Sequence, residues 1–302
     1  MADAAGLPLG ALNGGALSGG VLAAVLCGAA LHASWNALIK SGTDKSLDTA
    51  LIHALGPLIA LPLLAWVGWP PAAAWPYIGL STLIHIGYYL ALASAYRHGD
   101  LGLTYPLMRG GAPLLVALGG GLWIGESLSV VAWAGVVTVS AGVVLLGLAR
   151  AGHTGSEAQR RKAVRVALCN AAIIALYTVV DGLGVRASGQ PLAYVAALFL
   201  FDGLPYFALV MWQRRARLAE ARRYMGRRWP VAALGTAASL GSYGIALWAM
   251  TRAPVAAVAA VRETSVLFAA LIGTWLLREP FGWQRAAGTV VIVAGVMALR
   301  LG

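Results

Sequence analysis

The sequence has few charged residues and few cysteines. Charged residues make up 11% of the 302 positions, against about 25% in an average soluble domain, and two cysteines are present. None of the motifs HExxH, GxSxG or GxxxxGK(S/T) occurs, and no Cys and His residues show the spacing of a zinc site. We therefore expect no soluble enzyme, no cofactor, no metal site and no ATP-driven transport by this chain alone.

Long apolar runs occupy most of the chain, which is 60% hydrophobic. Each run is long enough to cross a hydrocarbon core of about 30 Å as a helix. Ten of them lie near residues 17–39, 48–69, 74–96, 101–123, 128–149, 163–185, 191–213, 230–251, 254–277 and 283–301. Because ten spans leave no room for a separate soluble domain, the sequence predicts an all-α integral membrane protein.

The net charge of +11 is unevenly distributed between the predicted loops. Seventeen Lys and Arg residues fall on one side of the predicted membrane and three on the other, and two arginines lie inside spans. Basic loops stay cytoplasmic, so both termini are predicted on the outer side. Seven arginines between positions 214 and 228 are explained by this topology, although binding of anionic lipid or of nucleic acid is an alternative. We expect no nucleic-acid partner.

The two halves of the sequence repeat each other. A shift of 153 residues aligns Arg109 with Arg262, Glu126 with Glu279, and the glycine pair 135 and 142 with the pair 288 and 295. We divide the chain into repeats at 17–149 and 163–301, joined by a cytoplasmic linker at 150–162. Because each half has five spans, an odd number, the second half must be inverted around a central cavity, as in many secondary transporters. The glycines predict close helix packing.

These repeated residues also resemble a known family. The segments Pro113-Leu114-Leu115 and Gly125-Glu126-Ser127-Leu128 with the two following glycines, and Arg278-Glu279-Pro280 in the second half, are similar to the EamA-type domain of the drug/metabolite transporter superfamily. The resemblance implies ten helices and alternating access. It does not name a substrate, since the superfamily includes exporters of amino acids, drug exporters and exchangers of phosphorylated sugars.

Two arginines, Arg109 and Arg262, lie near the middle of their spans. An intramembrane charge costs about 2.5 to 3.5 kcal/mol on insertion scales and so needs a partner or a wet cavity. A guanidinium group can bind a carboxylate or phosphate through two parallel hydrogen bonds, which makes both arginines candidates for substrate binding or gating. In the alternative interpretation, Asp181, Asp202 or Glu263 neutralises them. Prolines 106 and 113 also predict a kink around Arg109, with freed backbone groups.

Further polar and aromatic residues share helix faces near the predicted cavity. Asp202 lies mid-span beside Phe199 and Tyr206, whereas Asp181 is a weaker candidate that pairing with Arg186 or solvent would explain. Each of the uncharged candidates could equally be an ordinary core residue. They are His85, Tyr88, Tyr105, Tyr177, Trp248, Tyr243, and Asn36 with its neighbours His32 and Trp35.

Three other features have structural explanations. We expect Glu126 and Glu279 to accept backbone donors at the start of the next helix, with Ser127 as the cap before span five. Cys27 and Cys169 are expected to be small buried thiols. Tryptophans at predicted span ends suit a membrane-interface belt.

The sequence therefore predicts a transporter in a bacterial cytoplasmic membrane that exports small polar metabolites, foremost amino acids. Arg109 and Arg262 would hold or gate a carboxylate, and Glu263 and Asp202 would balance their charge or bind an ammonium group. The alternatives are a phosphorylated-anion exchanger, a drug exporter, and, from another class, a pore or membrane scaffold. A coupling proton and a passive facilitator both stay open, and two complete halves are compatible with a functional monomer.

Overall fold

The computed structural model describes the backbone of residues 17–98, 101–148, 157–277 and 282–302. Within these ranges, the side chains of 89–98, 101–105, 148, 158–160 and 275–277 are not described. The elements are the helices α1 (Gly19–Lys40), α2 (Lys45–Ala54), α3 (Gly56–Val67), α4 (Trp75–His98), α5 (Leu101–Gly119), α6 (Val130–Leu148), α7 (Glu157–Ser188), α8 (Pro191–Gln213), α9 (Leu218–Met250), α10 (Val255–Arg262), α11 (Ser265–Leu277) and α12 (Trp283–Leu301). The described residues are thus a helical bundle.

The twelve helices correspond to the ten predicted spans, because two spans are interrupted. The second consists of α2 and α3, which meet at Leu55, and the ninth consists of α10 and α11, which are separated by Glu263 and Thr264. Within the described residues, nine segments are long and apolar enough to cross a membrane, and α4 occupies the place of the third predicted span. The prediction of an all-helical, multi-pass membrane protein is confirmed. The inverted relation of the halves and the linker at 150–162, largely outside the described residues, stay predictions.

Both described chain ends lie at one end of the bundle. The Leu17 amide donates to the Leu299 carbonyl, and the Ser129 hydroxyl donates to the Gly302 carbonyl. The turn at 214–217, between α8 and α9, lies at the other end, which we call the arginine-rich end. At that end α9 starts twelve residues before the predicted span at 230, because Ala, Arg and Glu residues favour helix beyond the apolar run.

Helices α6 and α12, the last of each half, pack closely through the predicted glycines. A Cβ atom on Gly135 would lie 3.0 Å from the Gly295 carbonyl oxygen, and one on Gly295 would lie 2.9 Å from the Gly135 carbonyl oxygen. A Cβ on Gly142 would likewise lie 3.1 Å from the Gly288 carbonyl oxygen. Such approach of two backbones requires residues without side chains, as predicted.

Helices of the first half pack directly on helices of the second. Helix α1 contacts α9, α5 and α4 contact α7, and α3 contacts α8. Helix α10, whose residues 255–261 are all buried, lies against α1 and α5. This packing brings the interruption of the ninth span next to Arg109 in the interior of the bundle.

Some side chains face outward instead of inward. Cys27 and Cys169 are exposed on the bundle surface, so the expectation of buried thiols is wrong. The physical reason is that lipid is as apolar as the protein interior, so a small apolar side chain gains nothing by turning inward. The exposed tryptophans at helix ends agree with the expected interfacial belt, and they include Trp69, Trp123, Trp212 and Trp283.

Candidate functional site

The centre of the site is an ion pair between α5 and the interrupted ninth span. Arg109 Nε lies 2.9 Å from Glu263 Oε2, and Arg109 Nη2 donates to the Ser265 hydroxyl at 3.3 Å. All three residues are buried. Of the two interpretations of Arg109, this contact supports pairing with Glu263. Buried pairs of this kind lower the cost of placing either charge in the membrane.

The local sequence explains the interruption at Glu263. The amides of Glu263 and Thr264 donate three residues back, to Ala260 and Val261, and the Thr264 hydroxyl donates to the Val261 carbonyl at 2.7 Å. Hydroxyl side chains compete for backbone acceptors in this way and end a helix. In α5, by comparison, the helix continues through Arg109, although Pro113 cannot donate to the Arg109 carbonyl. Span nine therefore supplies the irregular backbone.

A small cavity adjoins the ion pair. Its volume is ≈ 10 Å³, which is room for about one water molecule. Arg109, Glu263, Arg262, Tyr177 and Thr178 line it together with apolar residues of α5, α7 and α10. The structure thus brings the two candidate arginines to one cavity, in a conformation too closed for a metabolite.

Arg262 is held by an aromatic ring instead of a carboxylate. Its guanidinium carbon lies 5.1 Å from the centre of the Tyr243 ring, and it has no ion pair within the described part of the chain. The Tyr243 hydroxyl donates to the Asp181 carboxylate, which also accepts from Tyr194 at 2.9 Å. A chain of contacts therefore runs from Asp181 through Tyr243 to Arg262.

This chain corrects the interpretation of Asp181. The expected partner Arg186 binds Glu126 instead, and solvent does not reach Asp181, whose exposure is 0%. A buried carboxylate satisfied by two tyrosine hydroxyls was missed because Tyr194 and Tyr243 are distant in sequence. The available signal was its place in an apolar run, one turn after Tyr177.

An aromatic cluster continues from Tyr177 to α4. The His85 ring stacks on Tyr177 with centroids 4.2 Å apart, and Tyr88 meets Tyr177 edge to face at 5.9 Å. His85 Nδ1 lies 2.9 Å from the Ser81 carbonyl oxygen. The structure therefore brings His85, Tyr88 and Tyr177 together, and of these three Tyr177 lines the cavity.

The remaining candidates lie around this centre at different distances. Asp202 is buried on α8 and does not line the cavity. Trp248 lies under Arg252, whose guanidinium carbon is 4.8 Å from its ring centre, near the end of α9. Asn36 donates to the His32 carbonyl on α1 at 2.7 Å. The Tyr105 side chain lies outside the described residues.

A cluster of contacts around Glu126 joins the halves at the end opposite the arginine-rich one. Arg186 Nη2 lies 2.5 Å from Glu126 Oε1, and Arg186 also donates to the carbonyls of Met250 and Ala253. Both Glu126 oxygens accept from the Val255 amide at 3.0 Å. We call these residues the Glu126 cluster.

The Glu126 cluster corrects one predicted cap. Glu126 does bind the start of a helix, but this helix is α10 of the other half and not α6. At the start of α6, the Ser129 hydroxyl accepts from the Ala132 amide, whereas Ser127 was the expected cap. Gly125 and Gly189, with φ of 75° and 61°, make the turns that present Glu126 and end α7. Glu279 lies outside the described residues.

A second cluster joins the halves at the arginine-rich end. Arg228 Nε donates to Asp48 at 3.0 Å, Arg214 Nη2 lies 2.7 Å from Asp44, and the Tyr224 hydroxyl donates to Asp48 at 2.9 Å. We call these residues the Asp48 cluster. Two of the seven arginines of this segment thus bind carboxylates of the first half, which loop charge counting alone could not reveal.

Comparisons with known proteins identify the scaffold. Residues 161–301 match the model of the EamA-like transporter family. A solved structure, titled only as the crystal structure of a protein, has the same fold with a TM-score of 0.69, 18% sequence identity, and coverage of 93% of this chain and 95% of that one. A search of curated proteins gives no match. The second half of the chain is thus similar to the EamA-like transporter family, and the solved structure shows the same fold over nearly the whole chain.

Proposed function

We propose that the chain exports small polar metabolites, foremost amino acids, across a bacterial cytoplasmic membrane by alternating access. The observation that carries this proposal is the charge of the cavity. Arg109 and Glu263 neutralise each other, and Arg262, held by the Tyr243 ring, leaves a net charge of +1. A zwitterionic amino acid suits this site, since Arg262 can bind its carboxylate and Glu263 can accept from its ammonium group.

The same charge count weighs against the alternatives. A doubly charged phosphate ester would bind best to two arginines with no carboxylate beside them. Glu263 is in direct contact with Arg109 and would repel such a substrate. An organic cation would meet the positive charge of Arg262, which has no direct ion pair within the described residues. Within the described residues, the cavity has room for about one water and is flanked by a cluster at either end, which favours a carrier over an open pore.

We propose that the arginine-rich end faces the cytoplasm, following the distribution of basic loop residues. The chain ends then lie on the outer side. A reporter that works only in the cytoplasm, fused after Gly302, is expected to be silent, and an active reporter would reverse this orientation.

The test is counterflow in liposomes with purified protein, comparing neutral amino acids, phosphorylated sugars and organic cations. We expect saturable amino-acid counterflow that falls at least tenfold in Arg262→Ala. Arg252→Ala is the matched control, because Arg252 also stacks on an aromatic ring but lies away from the cavity, and it should retain transport. Arg109→Lys should also reduce counterflow, because the single ammonium group of lysine does not reproduce the two parallel hydrogen bonds of a planar guanidinium group.

The outcomes separate the alternatives. Uptake of phosphorylated sugars alone would favour the exchanger. Uptake of organic cations that is unchanged in Arg262→Ala and in Arg109→Lys would assign these two arginines a structural role. Unsaturable flux of all three classes would indicate a pore. Equal losses in Arg262→Ala and Arg252→Ala would contradict the assignment of the site.

A further inference from the structure

A groove lies between α8 and α9 at the arginine-rich end. Its volume is ≈ 380 Å³, within the range of about 300 to 1,000 Å³ typical of ligand pockets. Four apolar side chains and one arginine line it: Phe207, Met211, Leu218, Met225 and Arg222. Apolar walls with a single cationic group would suit a ligand that is mostly hydrocarbon and carries a negative charge.

The seven arginines of this segment have two different environments. Arg214 and Arg228 bind carboxylates of the first half, in the Asp48 cluster. The other five are exposed, and they are Arg215, Arg217, Arg222, Arg223 and Arg227. Glu220 is the one carboxylate between positions 214 and 228 of the sequence. This surface is therefore strongly positive, and Arg222 has no ion pair within the described part of the chain.

Two tryptophans locate the groove relative to the membrane. Trp212 ends α8 next to the groove, and Trp229 lies two helical turns after Arg222 on the same face of α9. They are 63% and 56% exposed, and Arg215 stacks over the Trp212 ring at 4.8 Å. Trp229 also directly precedes the apolar run that begins at residue 230, and exposed tryptophans at the ends of apolar spans lie at the headgroup level of a bilayer. The groove therefore opens where lipid headgroups and upper acyl chains meet.

We propose that this groove binds an anionic phospholipid of the adjoining leaflet. Arg222 contacts the phosphate, and Phe207, Met211, Leu218 and Met225 contact the acyl chain. Basic pockets between membrane helices bind anionic headgroups, and the flexible methionines can adapt to a mobile chain. The inference requires only that the helices span a membrane and is independent of the transported substrate.

The test measures the binding of phosphatidylglycerol relative to phosphatidylcholine by the purified full chain, using native mass spectrometry of lipid exchange in mixed micelles. The wild-type protein is expected to prefer phosphatidylglycerol. Arg222→Gln should weaken that preference about fivefold, the effect of one interfacial cation. Arg223→Gln is the charge-matched control, since Arg223 is exposed but does not line the groove, and it should change the preference less than twofold.

Two further measurements distinguish lipid binding in the groove from diffuse electrostatic attraction to the positive surface. Met211→Trp keeps every charge but fills the groove, and it should reduce phosphatidylglycerol retention. Soluble glycerol phosphate should not displace the lipid. Equal effects of the two arginine variants, full retention in Met211→Trp, or displacement by glycerol phosphate would each overturn the proposal. Gel filtration of each variant verifies that it is folded.

Discussion

The Glu126 cluster and the Asp48 cluster join the halves at opposite ends of the bundle, with similar residues at different depths. In the Glu126 cluster the Arg186 and Glu126 side chains are 15% and 4% exposed, and backbone groups supply further hydrogen bonds. In the Asp48 cluster the Arg228 and Asp48 side chains are 21% and 3% exposed, but the Arg214 and Asp44 side chains are 38% and 24% exposed. Because water can replace contacts more readily at the Arg214–Asp44 pair than at the buried Arg186–Glu126 pair, we infer that the arginine-rich end opens more easily from this conformation.

The largest effect is expected from Arg186→Ala. This change leaves the carboxylate of Glu126 buried without its cation and should lower the free energy of unfolding by about 3 kcal/mol, the usual cost of breaking a buried pair. Thermal unfolding in detergent, with Arg252→Ala as the control at the same end, measures it. A loss of unfolding free energy below about 1 kcal/mol would contradict the inference that the Glu126 cluster holds its end more firmly than the Asp48 cluster.

A smaller loss is expected from Asp48→Asn. Asp48 is buried and accepts from Arg228 and Tyr224, but Arg228 is itself partly exposed, so water can solvate it when the charge of Asp48 is removed. The expected loss is about 1.5 kcal/mol, the lower range for hydrogen bonds to a charged group. A loss as large as that of Arg186→Ala would show that the two ends are closed equally firmly.

The pair of Arg214 and Asp44 should respond weakly to pH. Partial burial acts to raise the pKa of Asp44, but hydrogen bonds from Ser46 and Leu47 and the charge of Arg214 outweigh it, so the pKa falls below its ordinary value. A carboxyl group with a lowered folded-state pKa stabilises the protein above its unfolded-state pKa, and this stability disappears as pH falls through the folded-state value. Asp44→Asn should therefore cost less than about 1 kcal/mol at neutral pH. Its difference from the wild type in thermal unfolding should shrink below about pH 4.

The smallest effect is expected at an exposed pair that joins no helices. Arg161 and Glu157 lie one turn apart on α7, and their side chains are 72% and 77% exposed. Arg161→Gln should change the unfolding free energy by about 0.3 kcal/mol, as for other surface pairs at this spacing. A loss of unfolding free energy comparable to that of Asp48→Asn would mean that such ion pairs stabilise the protein through its net charge and not through contact between the halves.

The helices were predictable because membrane spans are long and uniform. Within the described residues, nine of the ten predicted spans are long and apolar enough to cross a membrane. The repeated glycines predicted the contact of α6 with α12, since close backbone approach requires a specific residue type. The interruption at Glu263 was not predicted, because a single Glu-Thr-Ser sequence competes with apolar neighbours and only the packed structure decides the outcome.

The site was partly predictable for a similar reason. Arg109 and Arg262 stood out because an intramembrane charge is costly, and the structure places both at one cavity. The binding partners of the buried carboxylates were harder to predict. Asp181 binds Tyr194 and Tyr243, and Glu126 binds Arg186, which is 60 positions away in the sequence. Sequence spacing along one helix carries no information about contacts between distant helices.

The most direct test of alternating opening is the labelling of one introduced cysteine at each end by a water-soluble maleimide, using detergent-purified protein in which both ends are accessible and Cys27 and Cys169 are replaced by alanine. Ala253→Cys reports on the Glu126 cluster and Ala50→Cys on the arginine-rich end, since both alanines are buried. Adding Arg186→Ala should raise labelling of Ala253→Cys alone, and adding Asp48→Asn should raise labelling of Ala50→Cys alone. Labelling that rises at both ends together would indicate a continuous pore and contradict the account.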